Sequence, residues 1–319
     1  MRTRLLAAFS AVAATALLLT GCAGAGSPDA SPSPSTSSTC LLNAKPGKAS
    51  DAVKVDGSGA KVTVTVPSGT DITDVERTVV KKGDGAEVAS GDLVSVRFRI
   101  VNAGDSTVLD SSERGQDGEM PVLLDPQQAS LFVAALECQP LGSAVVLALP
   151  SSVLGQGAKP LVVYAEATKK LPTVATGKEV TPKAGLPEVK LDDSGAPTIT
   201  VPKTDPPTET TVETLKQGDG PTVGAGDFVV VQYRGVTWAD GKEFDSSWSR
   251  GAPTQFQTTQ VVPGFKKALE GQKVGSQVLV VIPPKDGYGD ADQKSIPANS
   301  TLVFVIDILA TTSAQNAPQ

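Results

Sequence analysis

Between residues 228 and 309 the aromatic side chains of this chain gather around one short segment. Tyr233, Phe244, Tyr288 and Phe304, with Val261, Val262 and Ile296, flank the run 263–270, which itself carries Phe265, in a chain with only 4% aromatic residues. The residue types limit the chemistry. The chain has no histidine and three cysteines, which removes the imidazole base and the common zinc ligand sets. A formal charge of −6 argues against a nucleic-acid partner, which a basic face would have to hold. No cofactor is implied. What the set could make is an apolar, water-excluding pocket. The same aromatics also read as filler for a small core, although Phe228, Phe256 and residues 278–280 already supply one.

The elements that must position these residues are legible. Runs 228–233, 278–282 and 302–309 are rich in β-branched residues and read as antiparallel strands. Pro263-Gly264-Phe265 opens one short helix, and Gly235, Asp240-Gly241, Gly287 and Gly289 supply turn chemistry. Trp238 and Trp248 fall in expected loops and read as surface or rim residues. A single helix against a twisted antiparallel sheet is an α+β arrangement.

The stretches YRGVTWADGKEFDSS, VVPGFKKALEGQKVGSQ, IPPKDGYG and SIPANSTLVFVIDIL together resemble the FKBP-type peptidyl-prolyl cis-trans isomerases. The resemblance implies a twisted sheet packed on one short helix, and it implies roles. Phe265 stands where the family usually has a tryptophan on the pocket floor. Tyr233, Phe244, Val261 and Phe304 look like walls. The Val262 N–H would bond one substrate carbonyl and the Tyr288 hydroxyl another. Asp245 matches the aspartate at the pocket edge, and Ile296 the aliphatic residue of the loop over the site. Thr254 departs from the family by replacing a pocket phenylalanine, and the loops around it and between Tyr288 and Ile296 are short. The implied ligands are proline-containing polypeptides and rapamycin-type macrolides.

The chain is also duplicated. Asp56-Gly57-Ser58-Gly59-Ala60 recurs as Asp192-Asp193-Ser194-Gly195-Ala196, Gly83-Asp84-Gly85 as Gly218-Asp219-Gly220, and Asp110-Ser111-Ser112 as Asp245-Ser246-Ser247. An offset of roughly 135 residues indicates two tandem domains rather than a solenoid of short repeats. We expect two FKBP-like domains at 41–170 and 188–310, a linker at 171–187 and a disordered tail at 311–319. The leaders 41–70 and 188–205 read as added edge strands. In the first copy Tyr233 becomes Phe98, Phe244 becomes Leu109, Phe265 becomes Phe132 and Tyr288 becomes Leu154. Phe304 becomes Val163, Val261 and Val262 become Gln128 and Ala129, the loop carrying Ile296 shrinks to 156–160, and Asp110 remains. That copy reads as degenerate.

The N-terminus points to a compartment. Arg2 and Arg4 precede an apolar run at 5–19, which ends in Leu19-Thr20-Gly21-Cys22. This looks like the lipobox of bacterial lipoproteins. It implies a signal peptide at 1–21, lipid on Cys22, a Ser/Pro/Gly-rich tether at 22–40 and a cell-membrane location on the extracytoplasmic side; an ordinary secretory signal with a coincidental cysteine is the alternative. Cys40 and Cys138 are then the two cysteines left in an exported protein. Parity favours one disulfide, against two free thiols. Two functions follow: a membrane-anchored isomerase assisting exported proteins to fold, or a non-catalytic lipoprotein chaperone or adaptor.

Overall fold

A strand that is apolar at every position must be covered on both faces. Two such runs, 144–149 and 278–282, are buried throughout and sit within the two main sheets. The structure, a computed structural model, describes residues 40, 44–59, 61–125 and 130–313. The signal and lipobox residues, most of the tether, Gln128, Ala129 and residues 314–319 lie outside the described residues.

In chain order the strands are β1 (Lys54–Asp56), β2 (Thr63–Thr65), β3 (Glu76–Lys81), β4 (Leu93–Asn102), β5 (Val108–Ser111), β6 (Met120–Leu123), β7 (Ala144–Leu149), β8 (Leu161–Lys170) and β9 (Lys178–Glu179). They continue with β10 (Glu188–Leu191), β11 (Pro197–Thr200), β12 (Thr211–Gln217), β13 (Phe228–Thr237), β14 (Glu243–Ser246), β15 (Thr254–Gln257), β16 (Gln277–Ile282) and β17 (Leu302–Thr312). The α-helices are α1 (Lys48–Ala52), α2 (Leu131–Leu136), α3 (Ser151–Leu154), α4 (Ser247–Arg250) and α5 (Pro263–Leu269).

The first sheet runs β3-β7-β8-β4-β5, with β6 also on β4. The second runs β12-β16-β17-β13-β14, with β15 also on β13 and β9 added beyond β12. All pairings within both sheets are antiparallel. Taken from β3 and from β12, the strand orders coincide.

The leaders correct the expectation of edge strands. β1 pairs only with β2, and β10 only with β11, as separate hairpins. Each hairpin lies over a face. Val62, Val64 and Val66 pack with Val146, Val162 and Tyr164 of the first sheet. Ile199, Val189 and Val201 pack with Leu279, Val281, Val303 and Val305 of the second. The reason is period-two alternation: a short strand with one apolar face contributes more by covering a sheet than by extending its edge. With α2 or α5 on the opposite face, each sheet becomes the middle layer of three.

Trp238 belongs to this outer layer rather than to the surface. It is buried among Ile199 and Val236, and its Nε1–H donates to the Thr204 carbonyl at 3.0 Å. Trp248 is half-buried on α4. The segment read as a linker is also built in. It carries β9, and buried Ala175 donates its N–H to Asp307 Oδ2 at 2.7 Å. β17 extends to Thr312, past the expected start of the tail, with Thr311 and Thr312 opposite Val229 and Phe228.

Cys40 and Cys138 form a disulfide with their Cα atoms 6.0 Å apart. Leu93 and Leu123 of the first sheet meet Val230, Leu309 and Ala310 of the second in a small buried cluster. A cleft of about 600 Å³ opens between the sheets, lined by residues such as Arg114, Lys169, Asp219 and Ile308. None of the nine candidate site residues reaches it.

Candidate active site

The second sheet brings the candidate aromatics together on the face that carries α5. Tyr233 lies on β13, Phe244 on β14, Phe304 on β17 and Phe265 in the first turn of α5. Phe265, only 4% exposed, is the hub. Its ring meets Phe304 at 5.1 Å, Phe256 at 5.8 Å and Tyr233 at 6.0 Å, all near perpendicular. Phe244 meets Phe304 edge-on at 5.3 Å. Edge-to-face contact at these spacings is the favourable geometry for aromatic quadrupoles and holds each ring in place. Ile296 is buried in the same cluster, while Phe244, Val261 and Val262 stay half-buried at its mouth. Phe256, assigned to the core by sequence, packs on Tyr233 and Phe265 from below.

Two glycines make the ring set possible. A Cβ at Gly235 would fall 2.6 Å from Phe304 and 2.7 Å from Phe244, inside both rings. A Cβ at Gly264 would lie 2.4 Å from Ile282 Cγ2. The second glycine lets α5 sit down on β16, and the first leaves the volume that the two phenylalanines fill.

Polar groups edge the cluster. The Tyr233 hydroxyl donates to Asp245 Oδ2 and accepts from Arg250 Nη2 at 2.9 Å. Arg250 also pairs with Asp245, and its guanidinium lies 5.4 Å from the Tyr233 ring centre. Burial first, then the hydrogen bond to Asp245, pushes the Tyr233 phenol well above its ordinary value. The hydroxyl therefore stays a donor. Sequence reasoning missed Arg250. The available signal was an arginine four or five residues after the aspartate of the repeated Asp-Ser-Ser, at Arg114 and at Arg250. The motif itself is structural in part: Ser246 caps α4, and Ser247 Oγ accepts the Tyr233 N–H at 2.7 Å.

Val262 is the N-cap of α5, with Pro263 filling the first helical position. Its N–H has no partner among the described residues. Tyr288 is 40% exposed and stands on a turn in which the Pro284 carbonyl accepts both Gly287 and Gly289 N–H groups, at 3.0 and 2.9 Å. Gln293 and Ile296 exchange reciprocal backbone bonds of 2.9 Å, and the Asn299 N–H closes the loop on the Gly289 carbonyl at 2.8 Å. Thr254 stands opposite Val231, two residues from Phe256 on the same face of β15. Thr254 adds no ring there, and the aromatic that β15 gives the cluster is Phe256.

The first sheet assembles less. Phe98 and Phe132 meet at 4.9 Å. Ile100 occupies the register of Gly235, opposite Val163 as Gly235 is opposite Phe304. Leu109 is 52% exposed, and Leu154 is half-buried against the core. Arg114 and Asp110 still pair, with Arg114 5.8 Å from the Phe98 ring centre, but there is no phenol between them.

Comparison with known proteins agrees with the second sheet. The sequence profile of FKBP-type peptidyl-prolyl cis-trans isomerases matches residues 220–309. An FK506-binding protein of Streptomyces anulatus is 40% identical over 118 residues, which is 36% of this chain and 95% of that protein. A probable FK506-binding protein of Corynebacterium glutamicum is 34% identical over 36% of this chain and 97% of its own. The FKBP-type isomerase FkpA of Escherichia coli K12 is 42% identical over 105 residues, but those are only 38% of its length. A chain that covers nearly the whole length of two such relatives belongs to the FKBP-type peptidyl-prolyl cis-trans isomerases.

Proposed function

We propose that isomerisation takes place on the second sheet, at Tyr233, Phe244, Asp245, Val261, Val262, Phe265, Tyr288, Ile296 and Phe304. The observation that carries this is the ring cluster about Phe265, nearly sealed at its floor and open at its mouth. An X-Pro bond interconverts over tens to hundreds of seconds because amide resonance sets a barrier of about 18–20 kcal/mol. Water stabilises the polar, planar amide. An apolar floor that grips the prolyl ring strips that water and favours the twisted, less polar form. The unpartnered Val262 N–H and the exposed Tyr288 hydroxyl would hold carbonyls on either side of the bond. Asp245, neutralised by Arg250, fixes the Tyr233 wall without placing a free charge beside the imide.

We further read the two sheets as tandem FKBP-like domains, the first a degenerate copy that holds protein rather than turning it over. Its exposed Leu109 suits that role. The lipobox supports anchoring through Cys22 on the extracytoplasmic side, where the substrates are exported, proline-containing polypeptides. Among the described residues no helix is long and apolar enough to cross a membrane; the proposed anchor rests on the Leu19-Thr20-Gly21-Cys22 sequence. The FK506-binding relatives support a macrolide ligand in the same pocket.

Phe265→Ala in the full chain tests the site. Prolyl-peptide turnover and macrolide binding should be nearly abolished, with a stability cost of about 3–5 kcal/mol measured separately by thermal melt. A folded variant with wild-type turnover would place the site elsewhere. Mass spectrometry of the membrane-extracted mature chain should find diacylglycerol on Cys22, and an unmodified chain recovered from the medium would refute the anchor.

A further inference from the structure

We propose that Asp286 is a positioning residue for the reaction, tying the turn that presents the Tyr288 hydroxyl to the helix that presents the Val262 N–H. This rests on the site assigned above. Asp286 ends the 3-10 turn Pro284–Asp286, two residues before Tyr288. Its Oδ2 accepts a hydrogen bond from Thr210 Oγ1 and another from Lys267 Nζ at 3.0 Å. Lys267 lies on α5, two residues beyond Phe265 and five beyond Val262. Thr210 immediately precedes β12, which pairs with β16. One carboxylate oxygen therefore joins the pocket helix, the sheet and the Tyr288 turn.

The turn can transmit that constraint because it is internally fixed. Asp286 N–H bonds the Pro283 carbonyl, and the Gly287 and Gly289 N–H groups both bond the Pro284 carbonyl. Residues 283–289 thus move as a unit, and holding Asp286 holds Tyr288. Lys285 with Glu209 adds a second strap between the same two segments. The Asp286 side chain is 18% exposed and that of Lys267 55%, so their ion pair is a surface one of modest strength, and Thr210 supplies the more enclosed contact. Thr210 first, and Lys267 after it, hold the Asp286 carboxyl below its ordinary range, so the clamp stays charged in any neutral buffer.

The chain's own duplication supplies an independent comparison. By the strand registers, the helix alignment and the shared turn bonds Asp286 N–H to Pro283 and Val153 N–H to Pro150, Thr210, Lys267 and Asp286 correspond to Val75, Ala134 and Val153 in the first sheet. None of those three can form an ionic clamp, and Tyr288 is there Leu154. The copy without the hydroxyl also lacks the device that would aim it.

Two hydrogen-bonding groups that grip carbonyls on either side of one twisting bond must keep their spacing, and loss of alignment reduces turnover without removing any substrate contact. The test is a double-mutant cycle in the full chain, read with a prolyl peptide. Asp286→Ala should lower kcat/KM by about threefold to tenfold, the size expected for losing one hydrogen bond to substrate, and Tyr288→Phe should do the same. Combined, they should cost no more than the larger single loss, because both remove one interaction. Lys267→Met and Thr210→Val should each give part of the loss. Asp286→Asn keeps the acceptor oxygen and should recover most of the rate. Losses that multiply would overturn the clamp, as would Asp286→Ala at wild-type rate while Tyr288→Phe is slow. If Tyr288→Phe is itself at wild-type rate, the assigned role of Tyr288 fails, and the clamp fails with it. Should Asp286→Ala not fold, Lys267→Met against Tyr288→Phe makes the same cycle.

Discussion

The two sheets share a strand order, a face covered by a hairpin and a helix on the other face, yet the aromatic cluster forms on one of them. The difference starts at a single register position. Where β13 has Gly235, β4 has Ile100, and each stands opposite the residue that decides the pocket, Phe304 or Val163. With no Cβ at 235, two phenylalanine rings enter the space above the strand; with isoleucine at 100, the strand fills that space itself. The lesson is that a backbone can be copied faithfully while the side chains trade volume locally. A packed interior has no room for both solutions.

That trade gives the most disruptive test after removal of the floor. Gly235→Ile should force Phe304 and Phe244 from their positions, costing about 1–3 kcal/mol of stability through overpacking. Turnover should fall on the order of tenfold or more through misplaced walls. Ile100→Gly should leave turnover unchanged, because Val163 and Leu109 cannot supply the rings. Wild-type turnover in Gly235→Ile would show that the ring arrangement is dispensable.

A smaller effect is expected at the second point of contrast. The first sheet retains its Asp110–Arg114 pair under Phe98, and the second adds the Tyr233 hydroxyl to Asp245 and Arg250. Tyr233→Phe makes the second resemble the first. It should remove about 0.5–1.5 kcal/mol of hydrogen bonding from the folded chain, lower the melting temperature by a few degrees, and slow turnover a few-fold through a less firmly held wall. An unchanged rate would make the Asp–Arg pair alone sufficient to hold the wall.

The smallest expected effect concerns the buried acids at the two sheet centres. Glu166 pairs with Lys81 at 2.7 Å and Arg97 at 3.6 Å, whereas among the described residues Asp307 has the Ala175 N–H and the Gln277 amide as its direct partners. Burial pushes the Asp307 carboxyl above its ordinary value, against the pull of those two bonds. The folded chain therefore holds this proton longer than the unfolded chain does. Its stability contribution falls as pH rises from the ordinary carboxylate pKa through its own. Asp307→Asn removes the ionisation, and Gln277 can turn its amide to accept from the new one. Thermal melts from about pH 4 to about pH 7 should show the variant gaining on the wild type as pH rises. The opposite trend would mean that the anion is the favoured form.

Much of the candidate site was legible because its ring cluster depends on side-chain type. Phe265 after Pro263-Gly264, Tyr288 between two glycines and Phe304 within a β-branched run are local signals, and each element forms where the pattern placed it. Other features were not legible for a consistent reason. Arg250 acquires its role by reaching Tyr233, 17 positions away. Trp238 reads as a loop residue because nothing local shows that the 197–204 segment will cover it. Gly235 reads as a turn glycine, although its function is to make room for rings on two other strands.

The sequence by itself determined the repeated motifs, the strand and helix positions, the lack of an imidazole base in these 319 residues, and the residues that gather into the ring cluster. These follow from residue type, period and spacing along the chain. Tertiary structure decided that the leaders cover faces rather than extend edges, that the segment after β8 is pinned by Asp307, and that Asp286 joins three elements at one oxygen. Alternation marks a strand as having an apolar face, but it does not say which surface will meet that face. That choice depends on volumes and unpaired polar groups brought together from distant parts of the chain, and it is made only when the layers pack.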